Sequence, residues 1–348
     1  MLQAKYSKYL LNFKQPAGTS RGILTEKETW FIKIWDSRQP EIFGLGECAL
    51  FRGLSADDVP GYEDKLKGVC QHIDSFSPEK LQNWSSIRFG IETALADLSH
   101  GGKHFIYPSP FPDGKHPIEI NGLIWMGDKE TMHQRIIEKL DAGFHCLKLK
   151  IGAIDFQAEL NLLHTIRSSF SKDTIELRVD ANGAFSLEDA PHKLEQLARY
   201  DLHSIEQPIR QGQWEQMAEL CRNTPIPIAL DEELIGINNT PEKIALLDTI
   251  RPQYIILKPS LAGGFLGSEE WIRLAEERHT GWWITSALES NVGLNAIAQW
   301  TATRQTTLPQ GLGTGQLYTN NIPSPLEQIG STLRYNPQKN WDLSPISF

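Results

Sequence analysis

The feature that most restricts the fold is a repeat that begins near residue 118. From there to about residue 313 the chain falls into units of roughly 25 to 30 residues, each a short apolar run followed by a helical pattern. The runs are 118–124, 146–151, 175–180, 202–207, 226–232, 254–258, 282–289 and 308–313. Parallel strands that are buried on both faces have continuous apolar runs of this kind. Since eight strand–helix units close a barrel, the sequence predicts an α/β fold, a TIM-type (β/α) barrel over residues 105–315.

The residues on either side of this repeat follow other patterns. Residues 29–36 and 41–50 are strand-like, and residues 86–101 have a helical pattern that ends at glycine. We therefore expect residues 1–104 to form an α+β domain of antiparallel strands and helices. Residues 316–348 lack the barrel period, and we expect them to pack back on the barrel or on the first domain.

Composition excludes several classes of partner. The 348 residues carry a formal net charge of -9, which argues against binding to nucleic acid but permits a small acidic substrate. The N-terminal sequence does not resemble a signal peptide, and no apolar run reaches the roughly 18 residues of a membrane span. The cysteines are far apart in the sequence, without zinc or disulfide spacing: Cys48, Cys70, Cys146 and Cys221. These features predict a cytoplasmic protein with no membrane partner, and they leave the oligomeric state open.

Charged and polar residues recur where the predicted strands end. In strand order they are Lys148 and Lys150, Asp180 with Asn182, Glu206, Asp231 followed by Glu232, Lys258, and Glu289. Active sites of such barrels lie at the C-terminal ends of the strands. A single strand-end acid is more often a helix cap or a salt-bridge partner. Charged groups at the ends of five consecutive strands are much harder to explain as solvated surface, so we predict that they form one site.

Three carboxylates of this set, Asp180, Glu206 and Asp231, would meet across adjacent strands. They would repel one another without a cation, and a few carboxylates with open positions suit Mg²⁺. No histidine lies at these strand ends, which disfavours zinc. The sequence therefore predicts a magnesium site.

Two lysines, Lys150 and Lys258, would flank that metal from opposite sides of the barrel. A nearby cation and a second ammonium both disfavour a charged lysine, so we expect a lowered pKa and a base at this site. A metal that binds a substrate carboxylate would stabilise the dianion formed when the adjacent carbon loses its proton. The predicted chemistry is proton abstraction next to a carboxylate of a small molecule.

At these residues the sequence resembles the enolase superfamily, and within it the muconate lactonizing enzyme subgroup. The resemblance rests on the K-x-K at 148–150, Asp180 with Asn182, EQP at 206–208, DE at 231–232 and KP at 258–259. It implies a modified barrel with an N-terminal capping domain, whose loops at 18–22 and 50–55 would close over the site.

The resemblance also implies a role for each site residue. Asp180, Glu206 and Asp231 would bind Mg²⁺, with Mn²⁺ as a substitute, and Lys150 would be the base. The alternation of the strand favours Asp231 and Glu233 on one face, and the resemblance favours Asp231 as the ligand. Lys258 would stabilise the enediolate as a cation. Further residues would contact the substrate carboxylates: Lys148, Asn182, Ser286, Gly311 and Gly313.

Within the subgroup, the stretches RVDAN, ALDE, LKPSLAGG and above all SALESNVG resemble enzymes that eliminate water from a hydroxylated cyclohexadiene carboxylate in menaquinone biosynthesis. The leading hypothesis is such a dehydration, with Lys150 taking the proton and assisting loss of hydroxide on the same face. The nearest alternative is racemisation of N-acylamino acids or epimerisation of dipeptides, for which the same two lysines would serve. A non-catalytic barrel that acts as a binding protein is a third possibility, although no residue of the set is missing.

Overall fold

The computed structural model describes residues 1–19, 22–125 and 127–348. Its N-terminal unit is an antiparallel sheet in the order β1-β2-β3, formed by Leu2–Thr19, Gly22–Asp36 and Phe43–Cys48. Helices α1 (Tyr62–Gln71) and α2 (Ser85–Ser99) cover the face of the sheet that carries Trp30 and Ile32. The expected α+β character is present, and β1 is a long strand that the sequence patterns did not predict.

The first predicted barrel strand, 118–124, is in fact two short strands. β4 (Ile118–Glu119) pairs with a strand near the C-terminus, whereas β5 (Gly122–Ile124) pairs in parallel with the next barrel strand. Between them Asn121 donates its backbone N–H to the carbonyl of Gln310, so the chain leaves one sheet and enters another. An apolar run alone does not show which sheet each of its residues joins.

The main sheet of the described residues has seven parallel strands in the order β11-β10-β9-β8-β7-β6-β5. After β5 its strands are β6 (Cys146–Lys150), β7 (Glu176–Asp180), β8 (Ser204–Glu206), β9 (Ile228–Leu230), β10 (Tyr254–Leu257) and β11 (Gly281–Ile284). The helices that alternate with them are α3 (Lys129–Asp141), α4 (Phe156–Ser169), α5 (Ala190–Leu197), α6 (Trp214–Asn223), α7 (Thr240–Ile250), α8 (Gly264–Glu276) and α9 (Asn291–Ala302). Short 3₁₀ turns lie at Ile73–Ser75, Pro78–Leu81, Ala198–Tyr200 and Glu232–Leu234.

The eighth predicted strand, 308–313, is not a regular strand. It occupies the eighth position through isolated parallel bridges, Gly311 to Thr285 and Gln310 to Ile120. Pro309 has no N–H to donate and the glycines that follow weaken strand pairing, which explains the irregular closure. The predicted barrel fold is confirmed, with seven regular strands and a bridged eighth segment in the part of the chain described.

The core lies between the outer faces of the strands and the helices. Leu147 and Leu149 of β6 point outward and are buried, as are Leu163 of α4 and Trp271 of α8 in the same hydrophobic cluster. Lys148 and Lys150 alternate with these leucines and face the barrel interior. Burial of the apolar face therefore fixes which residues of each strand point into the barrel.

The C-terminal segment contacts both units. β12 (Leu326–Ile329) and β13 (Thr332–Tyr335) form a hairpin that extends to β4, and Tyr318 bridges to Phe13 of β1. The boundaries 1–104, 105–315 and 316–348 stay a prediction. Within the described residues, none of the helices combines the length and the apolar character that crossing a bilayer requires.

Candidate active site

The register of the strands brings the predicted charges side by side at one end of the barrel. Lys150 pairs with Asp180 across β6 and β7, and Asp180 pairs with Glu206 across β7 and β8. Glu206 pairs with Ala229, and Asp231 follows two residues later on the same face. Adjacent strands thus place one ligand candidate each on a common ring.

Asp180, Glu206 and Asp231 form a buried carboxylate triad. Each offers one oxygen, and these oxygens lie within 4.8 Å of one another. Oε1 of Glu206 is buried and has no hydrogen-bond partner among the described residues. Burial raises the pKa of Glu206 to about 8, a shift that Lys148 opposes and that the charges of Asp180 and Asp231 increase. A divalent cation would remove both the repulsion and the unpaired oxygen, so the donor set fits a metal ion that prefers oxygen ligands.

Each carboxylate of the triad also accepts a hydrogen bond from a lysine. Nζ of Lys150 lies 2.8 Å from Oδ2 of Asp180, and Nζ of Lys258 lies 2.5 Å from Oδ2 of Asp231. Nζ of Lys148 lies 2.9 Å from Oε2 of Glu206. Lys150 and Lys258 stand on β6 and directly after β10, so they approach the triad from opposite sides of the barrel.

The neighbouring carboxylates affect the pKa of two of these lysines, Lys258 and Lys148. Burial lowers the pKa of Lys258, but the carboxylates of Asp231 and Glu232 outweigh it and the net pKa is raised. For Lys148 the same balance between burial and the carboxylates of Glu206 and Asp180 also raises the pKa. The protein groups alone thus raise the pKa of Lys258, opposite to the lowered value expected from the sequence. A cation on the triad would oppose the effect of the carboxylates on this lysine.

The structure separates the three consecutive acids after β9. Asp231 belongs to the triad, whereas Glu233 accepts hydrogen bonds from the backbone N–H of Gly212 at 2.6 Å and from Nε2 of Gln207 at 3.0 Å. Glu232 lines the pocket and accepts from Nδ2 of Asn182 at 2.9 Å. Strand alternation does not continue to Glu233, because a 3₁₀ turn begins at Glu232.

A single pocket contains the predicted residues above the triad. Its open volume is about 790 Å³, part of it continuous with solvent, which suits a small molecule. Predicted site residues that line it are Lys148, Lys150, Asp180, Asn182, Lys258, Ser286, Gly311 and Gly313. Glu206 and Asp231 are buried at its base. All the predicted positions are thus at one site, and their individual roles stay predictions.

Ser286 and Gly311, two of the predicted substrate-binding residues, each have a close neighbour in the pocket wall. The hydroxyl of Ser286 pairs with that of Thr314 at 2.7 Å and accepts the N–H of Leu288 at 3.1 Å. A Cβ on Gly311 would lie 2.4 Å from Oγ1 of Thr285, so this position requires glycine. Both residues shape the pocket through these contacts.

Two loops of the N-terminal unit were expected to cover the site. In the loop at 50–55, Phe51 and Leu54 line the pocket. The loop at 18–22 includes Ser20 and Arg21, which lie outside the described residues. The N-terminal unit therefore contributes an apolar part of the pocket wall next to Trp125.

Several pocket residues were missed from the sequence, among them Glu232, Asn121 and Thr285. Glu232 was noted only as the neighbour of Asp231, and Asn121 and Thr285 were not singled out. Thr285 is inward-facing at the end of β11, and its buried hydroxyl has no partner among the described residues. Its position directly before Ser286 was a usable signal, whereas nothing in the sequence indicates that Asn121 lies between two sheets.

The fold and the site define a class. A (β/α) barrel with an N-terminal α+β unit carries a carboxylate triad flanked by lysines, and residues 131–329 match the family described as "Enolase C-terminal domain-like". The chain belongs to the enolase superfamily.

Among individual proteins, the chain is 49% identical over 366 residues to the o-succinylbenzoate synthase of Desulfotalea psychrophila, covering 95% of this chain and 98% of that protein. The crystal structure of MenC from Desulfotalea psychrophila superposes with a TM-score of 0.85 at 44% identity, covering 96% of this chain and 99% of that chain. A D-Ala-D/L-Ala epimerase of Cytophaga hutchinsonii is 26% identical over 311 residues, 85% of this chain and 82% of that protein.

Proposed function

We propose that this chain is an o-succinylbenzoate synthase, which dehydrates 2-succinyl-6-hydroxy-2,4-cyclohexadiene-1-carboxylate to 2-succinylbenzoate. The observation that carries the proposal is the approach of Lys150 and Lys258 to a buried carboxylate triad from opposite sides of one pocket. The relative with that name, 49% identical over nearly the whole chain, supports this substrate over others of the superfamily.

Lys150 is the proposed base. As a neutral amine it accepts the proton from the carbon next to the substrate carboxylate. The resulting ammonium then gives a proton to the departing hydroxide on the same face, so that the products are water and the aromatic dicarboxylate. Hydrogen bonds to Asp180 and to Oδ1 of Asn182, each 2.8 Å long, hold Nζ of Lys150 at the pocket floor. One residue therefore acts first as base and then as acid.

The triad and Lys258 would stabilise the negative charge that develops. Asp180, Glu206 and Asp231 would hold Mg²⁺, with Mn²⁺ as a substitute, and this ion would supply positive charge to the substrate carboxylate during proton loss. The ammonium of Lys258, fixed by Asp231, adds positive charge from the opposite side. Aromatisation makes the product stable, so stabilising the dianion is the main task of the site.

The direct test is to incubate the purified protein with Mg²⁺ and the cyclohexadiene carboxylate and to follow loss of the diene absorbance. We expect turnover that a chelator abolishes and that added Mg²⁺ restores. Intact Mg²⁺ binding without turnover would contradict the proposed substrate. A cytoplasmic location, a step in menaquinone biosynthesis, and the absence of nucleic-acid and membrane partners belong to the same proposal.

Racemisation of N-acylamino acids or epimerisation of dipeptides is the alternative. With one of the two lysines as a neutral amine and the other as an ammonium, a proton could be removed on one face and returned on the other, and the 26%-identical relative is named an epimerase. Exchange of solvent deuterium into an N-succinylamino acid or a dipeptide, without activity on the diene, would favour this alternative.

A further inference from the structure

One wall of the pocket is a strained segment. Residues 285–288, here called the pocket wall, follow β11 and line the pocket. Leu288 has a φ of 62°, in the left-handed region that a branched side chain rarely adopts. The N–H of Ala287 donates to Oε2 of Glu289 at 2.7 Å, and the hydroxyl of Tyr318 donates to the carbonyl of Leu288 at 2.7 Å. Contacts from behind therefore maintain the shape of this wall.

The N-terminal unit contacts the residues that follow the pocket wall. The carboxylate of Glu47 in β3 accepts three hydrogen bonds. Ser290 donates its backbone N–H at 3.0 Å and its hydroxyl at 2.5 Å, and Gly293 donates its backbone N–H at 2.9 Å. This carboxylate thus lies in the first turn of α9, where a negative charge is favourable. A Cβ at Gly293 would lie 2.9 Å from Oε2 of Glu47, so glycine is needed for this approach.

The same unit contacts α8 in a similar way. Oε2 of Glu92 in α2 accepts the N–H of Phe265 at 2.6 Å, and a Cβ at Gly264 would lie 2.5 Å from that oxygen. No residue in the first turn of α8 lines the pocket, whereas the residues just before α9 form its wall. Glu92 therefore makes the same kind of contact with α8 as Glu47 makes with α9, but the residues that it contacts do not line the pocket.

A buried lysine lies near the contact at α9. Lys27 of β2 is 4% exposed, and its Nζ has no hydrogen-bond partner among the described residues. Burial lowers the pKa of Lys27, and the carboxylates of Glu47 and Glu289 oppose that shift. Lys27 is therefore a buried neighbour of the carboxylate that accepts hydrogen bonds from Ser290.

We propose that Glu47 is a positioning residue for the substrate pocket: through the first turn of α9 it holds the pocket wall in the shape that receives the substrate. This role deepens the proposed synthase function and rests on it where substrate is measured. The N-terminal unit would then affect substrate binding in two ways. Phe51 and Leu54 line the pocket, and Glu47 would fix the conformation of the pocket wall through Ser290.

The test compares Glu47→Gln with Glu92→Gln, since both changes remove a charge from the first turn of a barrel helix. For Glu47→Gln we expect KM to rise by about tenfold or more while kcat stays within about threefold, the pattern of lost substrate positioning. For Glu92→Gln both constants should stay within about threefold of the wild-type values. Hydrogen–deuterium exchange needs no substrate, and uptake should accelerate in peptide 285–293 for Glu47→Gln but not for Glu92→Gln.

The outcomes separate this inference from the proposed function. If the wild-type protein does not dehydrate the diene, the synthase proposal fails, and the exchange data still test the contact. Wild-type exchange in peptide 285–293 of Glu47→Gln, or equal KM changes in both variants, would overturn the positioning role. If Glu47→Gln does not fold, Thr29→Val is the milder variant, because it keeps the carboxylate of Glu47 and removes the hydrogen bonds of the Thr29 hydroxyl, at 2.8 Å to Glu47 and at 3.5 Å to the carbonyl of Cys48. It should then change KM and exchange in the same direction, and unchanged values would overturn the role.

Discussion

Nζ of Lys150 lies 2.8 Å from Oδ2 of Asp180, so the proposed base is hydrogen-bonded to a proposed metal ligand. Lys258 and Asp231 repeat this relationship on the other side of the triad. Both proposed catalytic lysines therefore contact a carboxylate that would also bind the metal. A metal ion on the triad would compete for these carboxylate oxygens, so metal binding would change the contacts of the proposed base.

The first prediction concerns this base. Lys150→Ala removes the proposed base, and dehydration should fall by about a thousandfold or more, within the range of general acid–base catalysis. Stability should change little, because Lys148 remains 3.6 Å from Asp180. The measurement is the rate of diene loss under saturating Mg²⁺, with unfolding in urea as the check on the fold. The exposed Lys172 provides the control, Lys172→Ala, and a comparable rate in both variants would contradict the role of Lys150.

The second prediction distinguishes the acids that follow β9. Asp231→Asn should weaken Mg²⁺ binding by more than about tenfold, since even indirect partners of metal ligands contribute that much. Glu233→Gln is the matched control: its carboxylate bonds Gly212 and Gln207, so stability should fall by about 1 kcal/mol while metal affinity stays unchanged. Calorimetric titration with Mg²⁺ measures both affinities. Unaltered affinity in Asp231→Asn would assign the ligand to another acid.

The residues of the site were more predictable from the sequence than the long-range contacts that hold the surrounding segments in place. Lys150, Asp180 and Glu206 each end a short apolar run, and the period of two in a strand determines which face they share. Their convergence then follows from parallel pairing, which the barrel repeat already implied. Local sequence was sufficient because each of these residues belongs to the strand that positions it.

Other features depend on contacts that sequence patterns do not contain. Glu47 meets Ser290 across 243 residues, and Glu92 meets Phe265 across 173. Such contacts arise only when the N-terminal unit packs on the barrel, and an isolated glutamate in a strand or helix carries no sign of them. The divided first strand and the bridged segment at 308–313 were mispredicted for a similar reason, since backbone pairing there is set by distant partners.

The third prediction is a pH dependence of the triad. The pKa of Glu206 is raised from the ordinary 4.5 to about 8, so between these values the folded metal-free protein holds a proton that the unfolded chain has lost. The stabilisation from this group is fully present below about pH 4.5 and is lost as the pH rises through about 8. Binding of Mg²⁺ below pH 8 should therefore release a proton, and affinity should rise with pH.

Calorimetry in two buffers of different ionisation enthalpy at pH 6.5 measures this proton release. Near pH 9 the release should disappear, because Glu206 is already ionised. Glu206→Gln provides the control and should show neither the proton release nor tight binding. Equal proton release at both pH values would contradict the assignment to Glu206.

The last prediction concerns the left-handed backbone of Leu288. Its side chain is 7% exposed and packs with Leu11 and Tyr318, so Leu288→Ala should destabilise the protein by about 2 to 3 kcal/mol through loss of buried apolar contacts. Leu288→Gly loses the same contacts but adopts a φ of 62° without strain, so it should be the more stable variant by about 1 kcal/mol. This order is the reverse of the usual preference for alanine over glycine in regular structure. Urea unfolding of the two variants at one pH decides the matter, and Leu288→Ala being the more stable would show that the backbone at this position carries no strain.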